Sequence, residues 1–289
     1  MFRDDQLRDD DTRTPRDRSA DDRDLFAQHL DLRDEGVRLQ VGDYRVRASE
    51  VRILATVGAF RIVPRDELER SSASPREVER LRQAGLLSTT PYMVGRRRTT
   101  IVTLTREGLG VLERYRRDCP DEERQAFYAG LAKPKELAHD SRLFGVYRQA
   151  QERLERDGMK VRRVVLEQQM KSDYQRFLQE PNRERSRSRR EPRRDREAVA
   201  RWAAERDLPV VNGSVRFPDI RVEYERPDRT IGREDIEVVT ENYRGAHAAA
   251  TAAAGFKCHR YSAPKFGGAR ASTRGGRSRD PRLAEEMLR

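Results

Sequence analysis

The chain of 289 residues is long enough for two modest domains with tails, yet only 35% of it is hydrophobic against 38% charged, so much of it must be solvated rather than core. A formal charge of +11 and a pI near 10 point to a polyanionic partner, nucleic acid first and an anionic membrane surface second. The sequence has no apolar run approaching the ~20 residues that span a bilayer, and Met1-Phe2-Arg3-Asp4-Asp5 is no secretory signal, so a cytoplasmic protein without a membrane partner is expected. Of the 61 basic residues only six are lysines. Arginine therefore carries the charge, and its planar fork suits phosphate and guanine. Cys119 and Cys258 are isolated and lack metal-ligand spacing, which fits a reducing compartment.

Residues 1–40 open with mixed Asp and Arg and almost no apolar content, and read as a flexible charged tail and lead-in. The pattern changes at about Val41. Ser49 is a candidate cap for a helix carrying Val51, Leu54 and Val57 on one side. A short helix is expected around Arg65 to Arg70. Ser74-Pro75-Arg76-Glu77 is then a specific start signal, with Ser at the cap, Pro first in the helix and Glu three after the cap. That third helix buries Val78, Leu81 and Ala84 and ends at Gly85.

Leu87 to Val94 and Thr99 to Leu104 flank Gly95-Arg96-Arg97-Arg98, a β-hairpin with a basic tip, and Thr105 caps a further helix built on Leu109, Leu112 and Tyr115. Three helices, a basic hairpin and a closing helix read as a winged helix-turn-helix over residues 41–118. In that fold the third helix enters the major groove and the hairpin tip reaches phosphate or the minor groove. The expected contacts to double-stranded DNA are Arg76, Arg80 and Arg82 from the helix and Arg96, Arg97 and Arg98 from the wing. Protein docking is the other use of such a module.

Cys119-Pro120-Asp121 and Lys133-Pro134 bound a linker over residues 119–134, and a second domain is expected over 135–262. Glu136 to Asp157 reads as a long helix with Leu143, Tyr147, Ala150 and Leu154 in a stripe; His139-Asp140 near its start reads as a helix-end or interface pair. Lys160 to Glu167 is strand-like. An Arg-rich insertion over 168–200, with nine arginines between Arg176 and Arg196, reads as a solvated segment ending in a short helix where Trp202 anchors onto the core. Phe217 to Glu225 and Glu234 to Thr240 alternate as two strands of a hairpin. The alanine-rich run Ala248 to Ala254 reads as a helix stopped by Gly255, and Phe256 to Tyr261 as a last strand that buries Cys258. The tail from 263 to 289 is basic, rich in Gly and Ser, and expected to be disordered.

The expected class is thus α+β, an N-terminal winged helix-turn-helix followed by an α-β-β-β-α-β core with flexible tails. Asp219 and Glu237 fall on neighbouring strands of the hairpin, and two convergent carboxylates are what a divalent metal needs to activate water on a phosphodiester. The element order and Pro218-Asp219 with Glu237 resemble the PD-(D/E)XK nuclease superfamily, a restriction-endonuclease-like fold. That resemblance implies Mg²⁺ or Mn²⁺ bound by Asp219 and Glu237 if the site is active. The motif lysine, however, is replaced by Val239, which can neither orient a nucleophile nor stabilise phosphorane charge. Lys257 or Lys171 is the candidate replacement cation, and Glu152 a candidate further acid on the long helix.

With Leu137-Ala138-His139-Asp140, Asp235-Ile236-Glu237-Val238 and Tyr243 in such a core behind a winged helix, the chain resembles the replication-relaxation family of plasmids and mobile elements. The resemblance implies DNA binding in replication, relaxation or mobilisation, with replication or mobilisation proteins and a homodimer as candidate partners. Three functions stay open: a DNA-binding accessory protein with an inactive nuclease-like domain, an active metal-dependent endonuclease, and a transcriptional regulator.

Overall fold

The computed structural model describes residues 26, 29–30, 39–41, 44–71, 73–94, 97–117, 123–131, 136–184, 196–239 and 253–260. The expected C-terminal tail, the body of the alanine-rich helix and residues 185–195 of the Arg-rich insertion lie outside them, as does most of the expected 1–40 lead-in. There, however, Phe26, His29 and Leu30 are buried, and Phe26 and Leu30 belong to the main core instead of a flexible tail, because their apolar side chains pack onto the folded elements. Within them the protein is α+β, with seven helices and several sheets. Among the described residues no helix is long and apolar enough to cross a membrane.

A small hairpin of β1 (Leu39–Val41) and β2 (Tyr44–Val46) leads into α1 (Ala48–Phe60). The stripe Val51, Leu54 and Val57 is buried as its spacing requires. The cap is Arg47 rather than Ser49: the Arg47 backbone N–H donates to the Glu50 carboxylate at 2.9 Å, so Ser49 already lies inside the first turn. Its hydroxyl donates instead to Glu77, 2.8 Å away on a later helix. After α1 come β3 (Val63–Pro64), α2 (Arg65–Ser71) and α3 (Pro75–Gln83). The Ser74 capping box forms as its spacing predicts, with Ser74 Oγ accepting from the Glu77 N–H and Glu77 accepting from the Ser74 N–H, both at 3.2 Å.

Strands β4 (Leu87–Val94) and β5 (Arg97–Leu104) pair antiparallel from Leu87↔Leu104 to Val94↔Arg97, and β3 joins β5 on its other edge. Helix α4 (Arg106–Tyr115) is capped by Thr105, whose hydroxyl accepts from the Gly108 N–H at 3.0 Å. Gly108 is there because a Cβ would stand 2.3 Å from the Leu86 carbonyl oxygen. Residues 123–131 are more than a spacer. The buried Gln125 side chain donates to the Val164 carbonyl at 2.9 Å and accepts from the Val164 N–H at 3.0 Å, acting as one extra rung on a strand edge. Tyr128 and Gly130 donate their N–H groups to Gly58 and Leu104, so the same strap is fastened to both halves of the chain.

Helix α5 (Leu137–Arg156) follows, then β6 (Lys160–Leu166). The chain passes directly from β6 into α6 (Glu167–Glu184), where a solvated insertion was expected; Met170, Tyr174 and Phe177 at helical spacing supply an apolar side that the surrounding charge masks in composition. Helix α7 (Arg196–Glu205) and the pair β7 (Val210–Val211) and β8 (Ser214–Val215) precede β9 (Ile220–Glu225), β10 (Ile231–Val239) and β11 (Lys257–Arg260). The main sheet has the order β11-β10-β9-β6, antiparallel except for β10 with β11.

Period-two alternation gives this sheet two unlike faces. Val164, Leu166, Ile220, Val222, Ile236 and Val238 make an apolar face in one core with the α5 stripe. The opposite positions in register are Arg163↔Glu223↔Arg233 and Val165↔Arg221↔Asp235. The core is continuous from the N-terminal elements to the sheet, since Phe60 on α1 lies 5.2 Å edge-on to Phe144 and 4.7 Å from Tyr147 on α5. Trp202 is buried with Tyr174, Phe177 and Phe217 in a second cluster. Cys258 is exposed rather than buried: β11 is an edge strand, and Cys258 pairs opposite Glu237, away from the apolar face that Ile236 and Val238 serve.

Candidate functional site

Three carboxylates stand side by side where β6 ends, β9 begins and β10 passes alongside. Ile220 pairs with Leu166 on β6 and with Ile236 on β10, so one step further along places Asp219 between Glu167 and Glu237. The Asp219 carbonyl accepts from the Glu167 N–H at 3.1 Å, which continues the ladder one rung past the strand. The Asp219 carboxylate is buried and doubly held: Oδ2 accepts from the Val238 N–H at 2.7 Å and meets His139 Nε2 at 3.1 Å.

His139 arrives from the first turn of α5, and its other ring nitrogen lies 3.2 Å from Asp140 Oδ1. Asp140 Oδ2 is 3.5 Å from the guanidinium of Arg61, the left-handed residue that closes α1. A chain of alternating charge thus runs from α1 through Asp140 and His139 to the strand ends. Burial by itself would depress the His139 pKa, but its bonds to Asp140 and Asp219 outweigh that and lift it to about 10. His139 is therefore an imidazolium at neutral pH. Burial, reinforced by the charges of Asp219 and Glu167, pushes the Glu237 carboxyl up to about 7.

The donors do not suit a divalent ion. His139 already lies against the Asp219 carboxylate, and among the described residues no group of three or more His, Cys, Asp or Glu side chains is disposed to hold a metal. The candidate replacement cations lie elsewhere. Lys257 pairs in register with Ile236 and sets its ammonium 2.8 Å from Glu234, which also takes Arg153, on the α5 side of the sheet. Lys171 sits 2.5 Å from Glu167 within α6. Glu152 is exposed and faces Arg148 at 3.4 Å, and Val239 holds the strand position that a motif lysine would take. Asp219 and Glu237 fall on neighbouring strands as the strand patterning implies, but Glu167 beside them was not singled out from the sequence. The part of His139 was not legible either, because nothing in sequence tells which helix start will abut which strand end.

The basic candidates divide as well. On α3, Val78 and Leu81 face the core and Arg76 is exposed in the first turn. Arg80 is half-buried and pairs at 3.2 Å with Glu50, a carboxylate with no solvent exposure, so it ties α3 to α1. Arg82 is exposed and forked onto Glu79 at 3.0 and 2.7 Å, and this fork chiefly holds the Glu79 carboxyl down to about 2. Arg98 is exposed at the hairpin's far end, whereas the side chains of Arg96 and Arg97 lie outside the described residues. No protein-family model matches the chain, no curated protein matches it, and no solved structure matches it.

Proposed function

We propose that the chain is a DNA-binding protein of the replication-relaxation type, serving replication, relaxation or mobilisation of a plasmid or other mobile element. In this reading α1 to α4 with the β4–β5 hairpin are a winged helix-turn-helix, and the α5-to-β11 region is a restriction-endonuclease-like core that does not cut. The observation that carries the DNA-binding half is that Arg76 is exposed at the start of α3 and Arg98 is exposed near the far end of the β4–β5 hairpin, where the sequence runs Gly95-Arg96-Arg97-Arg98. Arg82 joins them at small cost, since its pair with Glu79 is exposed and screened by solvent. Arg80 acts from behind by fixing the angle of α3 on α1.

The silence of the core is supported by the strand ends themselves. An imidazolium on Asp219 supplies the positive charge that a metal ion would bring, and Val239 offers no cation to a scissile phosphate. Duplex binding measured by fluorescence anisotropy should weaken about tenfold or more when Arg76, Arg96, Arg97 and Arg98 are changed to Ala together. The log–log salt slope should become shallower by about 0.9 for each phosphate that the variant no longer neutralises. Unchanged affinity would remove the wing and α3 as the DNA surface. Supercoiled plasmid with Mg²⁺ or Mn²⁺ should stay intact; nicking that disappears in Asp219→Ala and Glu237→Ala would show an active endonuclease instead.

A further inference from the structure

On the polar side of the main sheet lies an open cleft of about 890 Å³ that neither the strand-end carboxylates nor the α3 surface uses. Its floor is the row Arg163, Glu223 and Arg233, and its walls come from the 123–127 strap, α6 and α7. Seven arginines line it against three carboxylates. They do two kinds of work. Arg221, 5% exposed, is spent on structure: it forks onto Asp235 at 2.7 and 2.8 Å and donates to the carbonyls of Arg206 and Asp207, which locks the α7 end to the sheet.

Arg176 and Arg206 are different, with side chains 69% and 42% exposed and only loose acidic neighbours at 3.4 Å, Asp173 and Glu205. The Arg206 guanidinium lies over the buried Trp202 ring, 4.6 Å from its centroid, and both residues line the cleft. Arg163 and Arg233 both meet the Glu223 carboxylate on the floor, at 2.9 and 3.5 Å, and Arg233 also pairs with Asp207. Asp173 opposes them: burial pushes its carboxyl above the usual range despite Arg176 and Arg206 close by.

We propose that this cleft is a second nucleic-acid site that takes one strand by its phosphates. It rests on the reading of the protein as a DNA-binding one and adds a substrate form to it. A duplex about 20 Å across cannot enter a space of this size, whereas a few nucleotides of single strand can. Aromatic stacking plays little part, because Trp202 is buried beneath Arg206; recognition is by phosphate and indifferent to base sequence.

The test uses the full chain and a labelled oligothymidylate of about 12 nucleotides, with a matched duplex and inorganic tripolyphosphate as parallel probes. Arg176→Ala with Arg206→Ala should weaken single-strand binding about tenfold and flatten its log–log salt slope by roughly 1.4, two phosphates at about 0.7 each, leaving duplex affinity unchanged. Asp173→Asn should strengthen single-strand binding roughly two- to fivefold, a gain that misfolding does not produce. Unchanged single-strand affinity in both variants overturns the site. So does tripolyphosphate that competes as well as the oligonucleotide, which would mark a general anion pocket. Quadruple Ala substitution at Arg76, Arg96, Arg97 and Arg98 should act in the reverse sense, losing duplex and keeping single strand. Failure of that reversal alone counts against the wing, and failure of the Arg176/Arg206 pair alone counts against the cleft.

Discussion

Glu237→Gln tests the electrostatics of the strand ends directly. In the folded protein this carboxyl titrates near 7, against 4.5 for the free side chain, because burial and the charges of Asp219 and Glu167 disfavour its ionised form. A carboxyl with a raised folded pKa binds its proton more tightly folded than unfolded, so stability declines as pH climbs from about 4.5 to about 7 and stays lower beyond. At about 1.4 kcal/mol per pH unit of that interval the ceiling is about 3 kcal/mol, and relaxation of the surroundings around the ionised form brings the expected effect to about 1–2 kcal/mol.

Glutamine keeps the shape and can still accept the Asp219 N–H, but it never ionises. The variant should match the parent at pH 5 and exceed it at pH 8 by about 1–2 kcal/mol, roughly 2–6 °C in Tm. Urea denaturation at the two pH values reads this without reference to function. A gain as large at pH 5 as at pH 8, or a loss at pH 8, would refute the argument that Glu237 is held in repulsion with its neighbours.

Three further changes probe the frame that holds the site. His139→Ala should destabilise by about 1–3 kcal/mol at pH 6; since the folded histidine titrates near 10, its contribution is full below 6.5 and fades as pH rises toward 10, so parent and variant melts should converge in alkali. Gln125→Ala strips both groups of Val164 of their buried partner and should cost about 2–4 kcal/mol in urea denaturation, with hydrogen exchange at the β6 edge accelerated. Gly108→Ala drives a methyl against the Leu86 carbonyl and should cost about 1–3 kcal/mol, seen as a lower Tm.

The strap and the Phe60–Phe144 contact alter how the two halves relate. Residues 119–134 read as a linker because Cys119-Pro120-Asp121 and Lys133-Pro134 mark its two ends, and such a linker would leave two independent bodies. In the structure Phe127 and Gln125 are buried, and Arg61 at the end of α1 reaches Asp140 on α5. A disturbance at α1 therefore has a short path of charged contacts to Asp219. Glu50 plays the matching part on the other side, accepting from Arg47 and from Arg80 with no exposure to solvent.

Local patterning determined a good deal by itself. The stripe Val51, Leu54, Val57, the Ser74 capping box, the Thr105 cap, and the alternation through Ile220 and Ile236 each encode an element in a few neighbouring residues, because helix and strand periods are short-range. What lies next to what was decided only by tertiary structure. His139 against Asp219 is a contact across 80 residues of chain, and neither it, nor Lys257 turned to Glu234 by the register of a parallel pair, nor arginines gathered from the strap, the ends of α4 and α7, α6 and three strands around one cleft can be inferred from spacing. The physical reason is that a buried charge takes its partner from whichever element the apolar core presses against it, and that packing is a property of the whole chain.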